Sequence, residues 1–142
     1  MAIGAPDPAS LGPNGRRVLA YGDCIERTVE AAKDPAFTLA GWAELEAMLD
    51  VARFERVGNM MERQTWAEYR DLLTRWAGAT TFWARFRRIT EAGNLVFLEL
   101  EEHNTPKDGP ESVVNSVSVY EFDDAGKLIH LDIYLQVPQT GR

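Results

Sequence analysis

The sequence predicts an α+β domain in which helices from the N-terminal half pack in the concave face of a curved antiparallel or mixed β-sheet built by the C-terminal half. Apolar residues recur at helical spacing up to about residue 49 and again over 65–78, whereas they alternate after residue 80. The alternating stretches are separated by turn clusters, Ala92-Gly93-Asn94 and Asp124-Ala125-Gly126 among them. At 142 residues the chain is large enough for one core without disulfide or metal support.

Residues 1–15 mix Pro, Gly and Ala without a period, which predicts a flexible tail ahead of a single domain over 16–142. From Arg16, the spacing of Val18, Gly22, Ile25, Val29 and Ala32 predicts a first helix ending near Lys33. Asp34-Pro35 reads as an N-cap followed by a proline in the first turn, opening a second helix to about Leu49 that Gly41 could break. Val51 to Val57 alternates as a short strand closed by Gly58-Asn59, and Met60 to Arg63 continues extended. Thr65 caps a third helix whose Trp66, Tyr69, Leu73 and Trp76 form an apolar stripe before Gly78. Such a stripe is ordinarily core; Trp66 and Tyr69 are its candidates for contact with a ligand. Strands follow at Thr81–Glu91, Leu95–His103, Ser112–Asp123 and Lys127–Val137.

The last hairpin can be phased from its turn. With Phe122 opposite Lys127, Tyr120 meets Ile129, Ser118 meets Leu131, Ser116 meets Ile133 and Val114 meets Leu135. Ile129, Leu131, Ile133 and Leu135 make this the concave face, because His130, Asp132 and Tyr134 point the other way. Ser116, Ser118 and Tyr120 then become polar groups inside. On Leu95–His103 the interior set is Val96, Leu98, Leu100 and Glu102, since the other face would bury Glu99 and Glu101 together.

The formal net charge of −7 and a pI near 4.8 leave no basic surface for nucleic acid or an anionic membrane, and an apolar small molecule is the expected partner. Cys24 is the only cysteine, no apolar run approaches the length of a membrane span, and a cytoplasmic location is expected. The sequence lacks GxGxxG, GxxxxGK, HExxH and CxxC, so neither a cofactor nor a metal is expected. His103, at a strand end near the mouth, reads as an exposed strand terminus, and His130 with Asp132 is too small a set for a metal.

Three pieces in order carry a resemblance over about Arg16 to Val137: the end of the second helix passing into Val51–Gly58, the helix Thr65–Ala77, and the segment Tyr120-Glu121-Phe122-Asp123-Asp124-Ala125-Gly126-Lys127-Leu128-Ile129. Together they resemble the nuclear transport factor 2-like superfamily, which includes ketosteroid isomerases, SnoaL-like polyketide cyclases and limonene epoxide hydrolases. The resemblance implies a cone-shaped roll with a pocket between sheet and helices, and a homodimer through the outer sheet face, where Val117, Val119 and Tyr134 stand. Similarity to ketosteroid isomerase places a general base at Glu55. The same comparison puts Ser118 where that family has an aspartic acid and Glu26 near its helix-one tyrosine, with Tyr21 more than a turn away. Against the epoxide hydrolases, Leu100 stands where their arginine would be. SnoaL-like cyclases, with one pocket acid or base in an apolar cavity, are the nearest analogy, met by Glu55 or Glu102.

Two functions follow as expectations. One is a cofactor-independent lyase, isomerase or cyclase acting on an apolar, ring-containing substrate. Its catalytic residues are Glu55, Glu102 and Tyr120, and Ser116, Ser118, Leu131, Ile133, Trp66 and Tyr69 hold the substrate. The other is a non-catalytic binding or dimerisation module with the same cavity.

Overall fold

The computed structural model describes residues 2–139. Met1 and residues 140–142, the ends of the expected tail and domain, lie outside the described residues. Helix α1 spans Pro13–Ala31, α2 Ala43–Glu46 and α3 Trp66–Ala77; the strands are β1 Glu55–Val57, β2 Arg63–Thr65, β3 Thr80–Ala92, β4 Leu95–Pro106, β5 Ser112–Phe122 and β6 Leu128–Gln136. They form one open six-stranded sheet in the order β2-β1-β6-β5-β4-β3. All neighbours are antiparallel except β1 and β6, which run parallel, so the sheet is mixed, as an α+β cone requires.

Helix α1 starts earlier than its period suggests. Pro13 occupies its first turn, and the Gly15 amide donates to the Glu91 carboxylate of β3 at 2.7 Å, a long-range acceptor for an otherwise orphaned helix N–H. Its inner face buries Val18, Tyr21, Cys24 and Thr28 at three- and four-residue steps. Residues ahead of it are not a free tail. Ile3 forms a parallel bridge to Arg85, its amide donating to the Ala84 carbonyl and its carbonyl accepting from Phe86, both at 2.8 Å. Strand β3 is a sheet edge with unpaired backbone groups, and a lone bridge satisfies some of them without leaving any period in the sequence.

The second helix is shorter than expected. The Asp34 carboxylate accepts from the Ala36 amide in a turn, and helical geometry is confined to a 3₁₀ turn, Leu39–Trp42, and the single turn of α2. Trp42 and Leu45 are completely buried, so the segment is pinned by packing. Helix α3 is as expected, with a reciprocal capping box: Thr65 accepts from the Glu68 amide at 3.2 Å and donates its own amide to the Glu68 carboxylate at 3.0 Å. Both α1 and α3 pack on the concave face over Val96, Leu98, Tyr120, Phe122, Leu128 and Leu131. No described helix is long and apolar enough to cross a membrane.

The last hairpin departs from simple phasing. Phe122 pairs with Leu128, then a register shift brings Glu121 opposite His130, so Tyr120 faces Leu131, Ser118 faces Ile133 and Ser116 faces Leu135. Partners move along by two residues, an even number, and therefore keep their faces. Ile129 falls in the register shift and pairs with no residue of β5, and Leu128 takes the core position.

Candidate functional site

Between the two helices and the sheet lies a cavity with two lobes, about 630 Å³ and 280 Å³. The larger opens past Glu30, Lys33, Leu72, Thr80 and Asn104, and the smaller ends among Tyr21, Leu98, Ser118, Tyr120, Leu131 and Ile133. Arg56, Tyr69 and Glu102 border both lobes, together with Glu26 and the apolar Ile25, Phe82, Ala84 and Leu135. A guanidinium and two carboxyls, Glu102 and Glu26, therefore stand at the junction of two mostly apolar chambers.

The ladder explains why Arg56 is there. In the parallel pairing of β1 with β6, Arg56 lies beside Leu131, whose side chain is buried on the concave face, while Glu55 lies beside His130. Arg56 stacks over the Tyr69 ring, 4.7 Å from its centroid, and its Nη1 donates to Gln64 Oε1 at 3.0 Å. Its Nε is buried without a hydrogen-bond partner, and Arg56 makes no ion pair with a described residue.

Glu102 comes from β4, inward with Leu98 and Leu100 as the alternation predicts. Burial pushes its carboxyl above the usual carboxylate range, against the opposing influence of the Ser116 hydroxyl and the Arg56 charge. Ser116 is itself buried; it backs Glu102 without meeting hydrogen-bond geometry and does not border the cavity. Three phenols complete the inner lobe. Tyr21 and Tyr120 meet edge to face with centroids 5.5 Å apart, and Tyr69 closes the group from α3. Burial raises the pKa of all three, so each is a neutral hydrogen-bond donor at physiological pH.

Of the residues expected from sequence, Glu102, Ser118, Tyr120, Leu131, Ile133 and Tyr69 border the cavity. Glu55 does not. It sits on the outer face, paired with Arg63 at 2.6 Å and 3.6 Å from His130 Nδ1, which removes it from reach of a ligand inside. Trp66 is likewise core, packed against Trp42, Phe54 and Tyr69, with its indole N–H donating to Glu46 at 2.7 Å. Sequence reasoning passed over Arg56 and Tyr21, although both left a signal. Phe54 is buried, so its strand alternate Arg56 shares its direction, and Tyr21 lies three residues from Val18 and four from Ile25 on the inner stripe of α1.

His103 is not at the mouth as an isolated strand end. It stacks on Trp83 with centroids 3.7 Å apart, its Nε2 lies 2.7 Å from Glu101 Oε1, and its Nδ1 is 3.2 Å from Glu111 in distance but off hydrogen-bond geometry. The Glu101 and Glu111 carboxylates hold its pKa above the ordinary histidine value. Among the described residues no cluster has the ligands for a metal ion.

Comparison of the architecture with solved structures gives clear matches. A SnoaL-like polyketide cyclase from Shewanella putrefaciens superposes with a TM-score of 0.67 at 12% identity, covering 95% of this chain and 92% of that one. The fold is that of the nuclear transport factor 2-like proteins. An epoxide hydrolase of the limonene-epoxide-hydrolase-like kind from M. tuberculosis shares this fold (TM-score 0.57, 21% identity, 80% and 84% covered). So does a steroid delta-isomerase from Pseudomonas aeruginosa (TM-score 0.58, 15% identity, 89% and 82% covered). No protein-family model and no curated protein sequence matches the chain. At these identities the nuclear transport factor 2-like architecture is shared while the reactions must be argued from the cavity.

Proposed function

We propose that this protein is a cofactor-independent enzyme of the lyase, isomerase or cyclase type. It acts on an apolar ring-bearing molecule, and Glu102 is the proton-transferring group. The observation that carries this reading is a carboxyl with a raised pKa at the junction of two apolar lobes, next to neutral phenols. In its ionised form Glu102 takes a proton from a carbon beside a carbonyl. The C–H electron pair becomes a C=C bond, and the carbonyl π pair moves onto oxygen as an enolate. The protonated Glu102 then returns the proton to another carbon, or the enolate carbon attacks a second carbonyl carbon of the same molecule, forming a C–C bond while that carbonyl's π pair moves onto its oxygen and takes the proton back from Glu102, so that no redox partner is required. Desolvation strengthens the base by raising its pKa towards the working pH. Tyr120 and Ser118 bound the inner lobe as polar contacts, with Leu131, Ile133 and Tyr69 as apolar walls.

The SnoaL-like cyclase and the steroid isomerase that share the fold support a reading in which such a cavity runs proton-transfer chemistry. Association through the outer face, where Val117 and Val119 pair with Tyr134 and Asp132, belongs to the same proposal and is checked by sedimentation velocity.

The test needs no knowledge of the natural substrate. 2-Tetralone has acidic C–H bonds beside its carbonyl, and their exchange with D₂O is followed by NMR. The wild-type protein accelerates exchange, and Glu102→Gln lowers that acceleration by about 10²- to 10⁴-fold while 2-tetralone still binds. Equal exchange by wild type and Glu102→Gln excludes Glu102 as the base, and binding without any acceleration makes the cavity a binding module.

A further inference from the structure

Arg56 is the feature of the cavity that proton transfer by Glu102 leaves unused. Its guanidinium is brought into a mostly apolar space, and the contacts it makes there, the Tyr69 ring and one side-chain amide, carry no negative charge. Removing a cation from water is costly unless a counter-charge or a full set of acceptors replaces the hydration. Here the set is incomplete, since Gln64 takes Nη1 and Nε has no partner. The nearest carboxyl facing it from β4, Glu102, acts on it through space but forms no ion pair within 4.0 Å. Both side chains border the open volume at the junction of the lobes, one as a donor and the other as a proton acceptor. The other ionisable groups lining the inner lobe are Tyr21, Asp23 and Glu26 from α1, Tyr69 from α3 and Tyr120 from β5; Asp23 and Glu26 have interactions of their own, and the phenols are neutral donors.

We propose that Arg56 is the oxyanion-holding group of this cavity, and that the ligands it selects are ring compounds bearing an oxygen that ionises, an enol or a phenol, bound as the anion. This rests on the reading above, in which Glu102 removes a proton, and it supplies the place where the resulting charge is held. A positive group fixed in a poorly hydrated site stabilises an oxyanion far more than it does in water, and it needs no reorganisation when the charge forms. A planar guanidinium already stacked on Tyr69 presents its remaining N–H groups in a fixed direction. Tyr21 and Tyr120, neutral and close by, are placed to donate to a second oxygen on the same ring system.

The experiment uses the full chain with 2-naphthol and 2-methoxynaphthalene, which match in shape while only the first can ionise. Naphtholate has its own long-wavelength absorption band, so a pH titration of the bound probe reads which form the cavity prefers. Expected for wild type is a bound naphthol that ionises at lower pH than the free one, with the anion held at least about tenfold tighter than the neutral form. Arg56→Met binds 2-methoxynaphthalene as before, which shows the cavity intact, and loses the preference for the anion. Arg56→Lys keeps part of it. Glu102→Gln, which removes the neighbouring acid, retains or increases it. The proposal is overturned if wild type binds naphthol only in its neutral form, or if the preference survives in Arg56→Met. Should Arg56→Met not fold, the wild-type titration and Arg56→Lys still decide. Failure of 2-tetralone exchange alongside anion-selective binding would sink the assignment of Glu102 and leave Arg56 standing, and the reverse pattern would do the opposite.

Discussion

Trp66 is where the expected ligand contact and the observed core contact make opposite predictions. Its ring is 2% exposed and lies about 6 Å from Trp42, Phe54 and Tyr69, with centroid distances of 5.9, 6.2 and 6.2 Å. The indole N–H donates to the Glu46 carboxylate at 2.7 Å. Trp66→Phe keeps an aromatic ring but deletes that donor and shrinks the side chain. A hydrogen bond to a charged acceptor is worth roughly 1.5–3 kcal/mol, and losing it leaves a half-buried carboxylate unpaired. Weakening the edge-to-face contacts adds a further amount of about 0.5–1.5 kcal/mol. The sum, about 2–4.5 kcal/mol, is a large part of a typical domain stability of about 5–15 kcal/mol. Urea unfolding followed by far-ultraviolet circular dichroism should show the midpoint fall with the slope unchanged, because the three other tryptophans make fluorescence ambiguous. Naphthol binding should persist below the transition. A variant as stable as wild type that no longer binds would refute the core assignment and return Trp66 to the site.

Glu102→Gln should raise Tm at pH 7 to 8 and give no gain near pH 4. The folded carboxyl has a raised pKa, so the native state binds more protons than the unfolded one, and stability falls as pH rises from the unfolded value of about 4.3 through the folded value. Thermal scans across pH check it, and a gain that grew towards acid pH would reverse the sign. Glu55→Gln should leave 2-tetralone exchange unchanged, because its carboxylate is engaged with Arg63 outside the cavity; a loss comparable to that of Glu102→Gln would restore it as the base. Thr65→Ala should cost about 1 kcal/mol in chemical denaturation by deleting one half of the α3 capping box, and an unchanged midpoint would mean that packing alone sets that helix start.

Long periodic elements were legible and short ones were not. Helix α3 and the four long strands follow from a cap, a stripe and alternation, each read locally from residues such as Thr65, Leu98 and Leu131. The segment between Asp34 and Asp50 is less helical than its pattern because Trp42 and Leu45 satisfy a helical stripe while their burial is fixed by tertiary contacts, among them the Trp42 indole donating to Thr74. Ile3 was invisible for a similar reason, since one bridge to an edge strand has no pattern. In the site, Glu102 and Tyr120 were found because their strands are long enough to phase. Position in a family points to Glu55, whereas strand alternation from Phe54, which the structure buries, brings Arg56 inward.

That one-residue difference decides the chemistry of the cavity. Strand β1 is three residues long and cannot set its own phase; it inherits it from β6, whose Leu131 is held in the core opposite Tyr120. A slip by one residue would turn Glu55 inward beside Glu102 and send Arg56 to the surface, placing two carboxyls in one apolar space with no cation between them. Like charges there would force one to stay protonated, and a cavity of that kind suits a shared-proton pair of acids. The ladder instead sets the Arg56 guanidinium, short of a full set of partners, on the same cavity as the Glu102 carboxyl. Such an arrangement can remove a proton on one side of a ligand and hold the resulting charge on the other. Pairing along β1 and β6, rather than the identity of any residue taken alone, is thus what gives the cavity an acid–base axis.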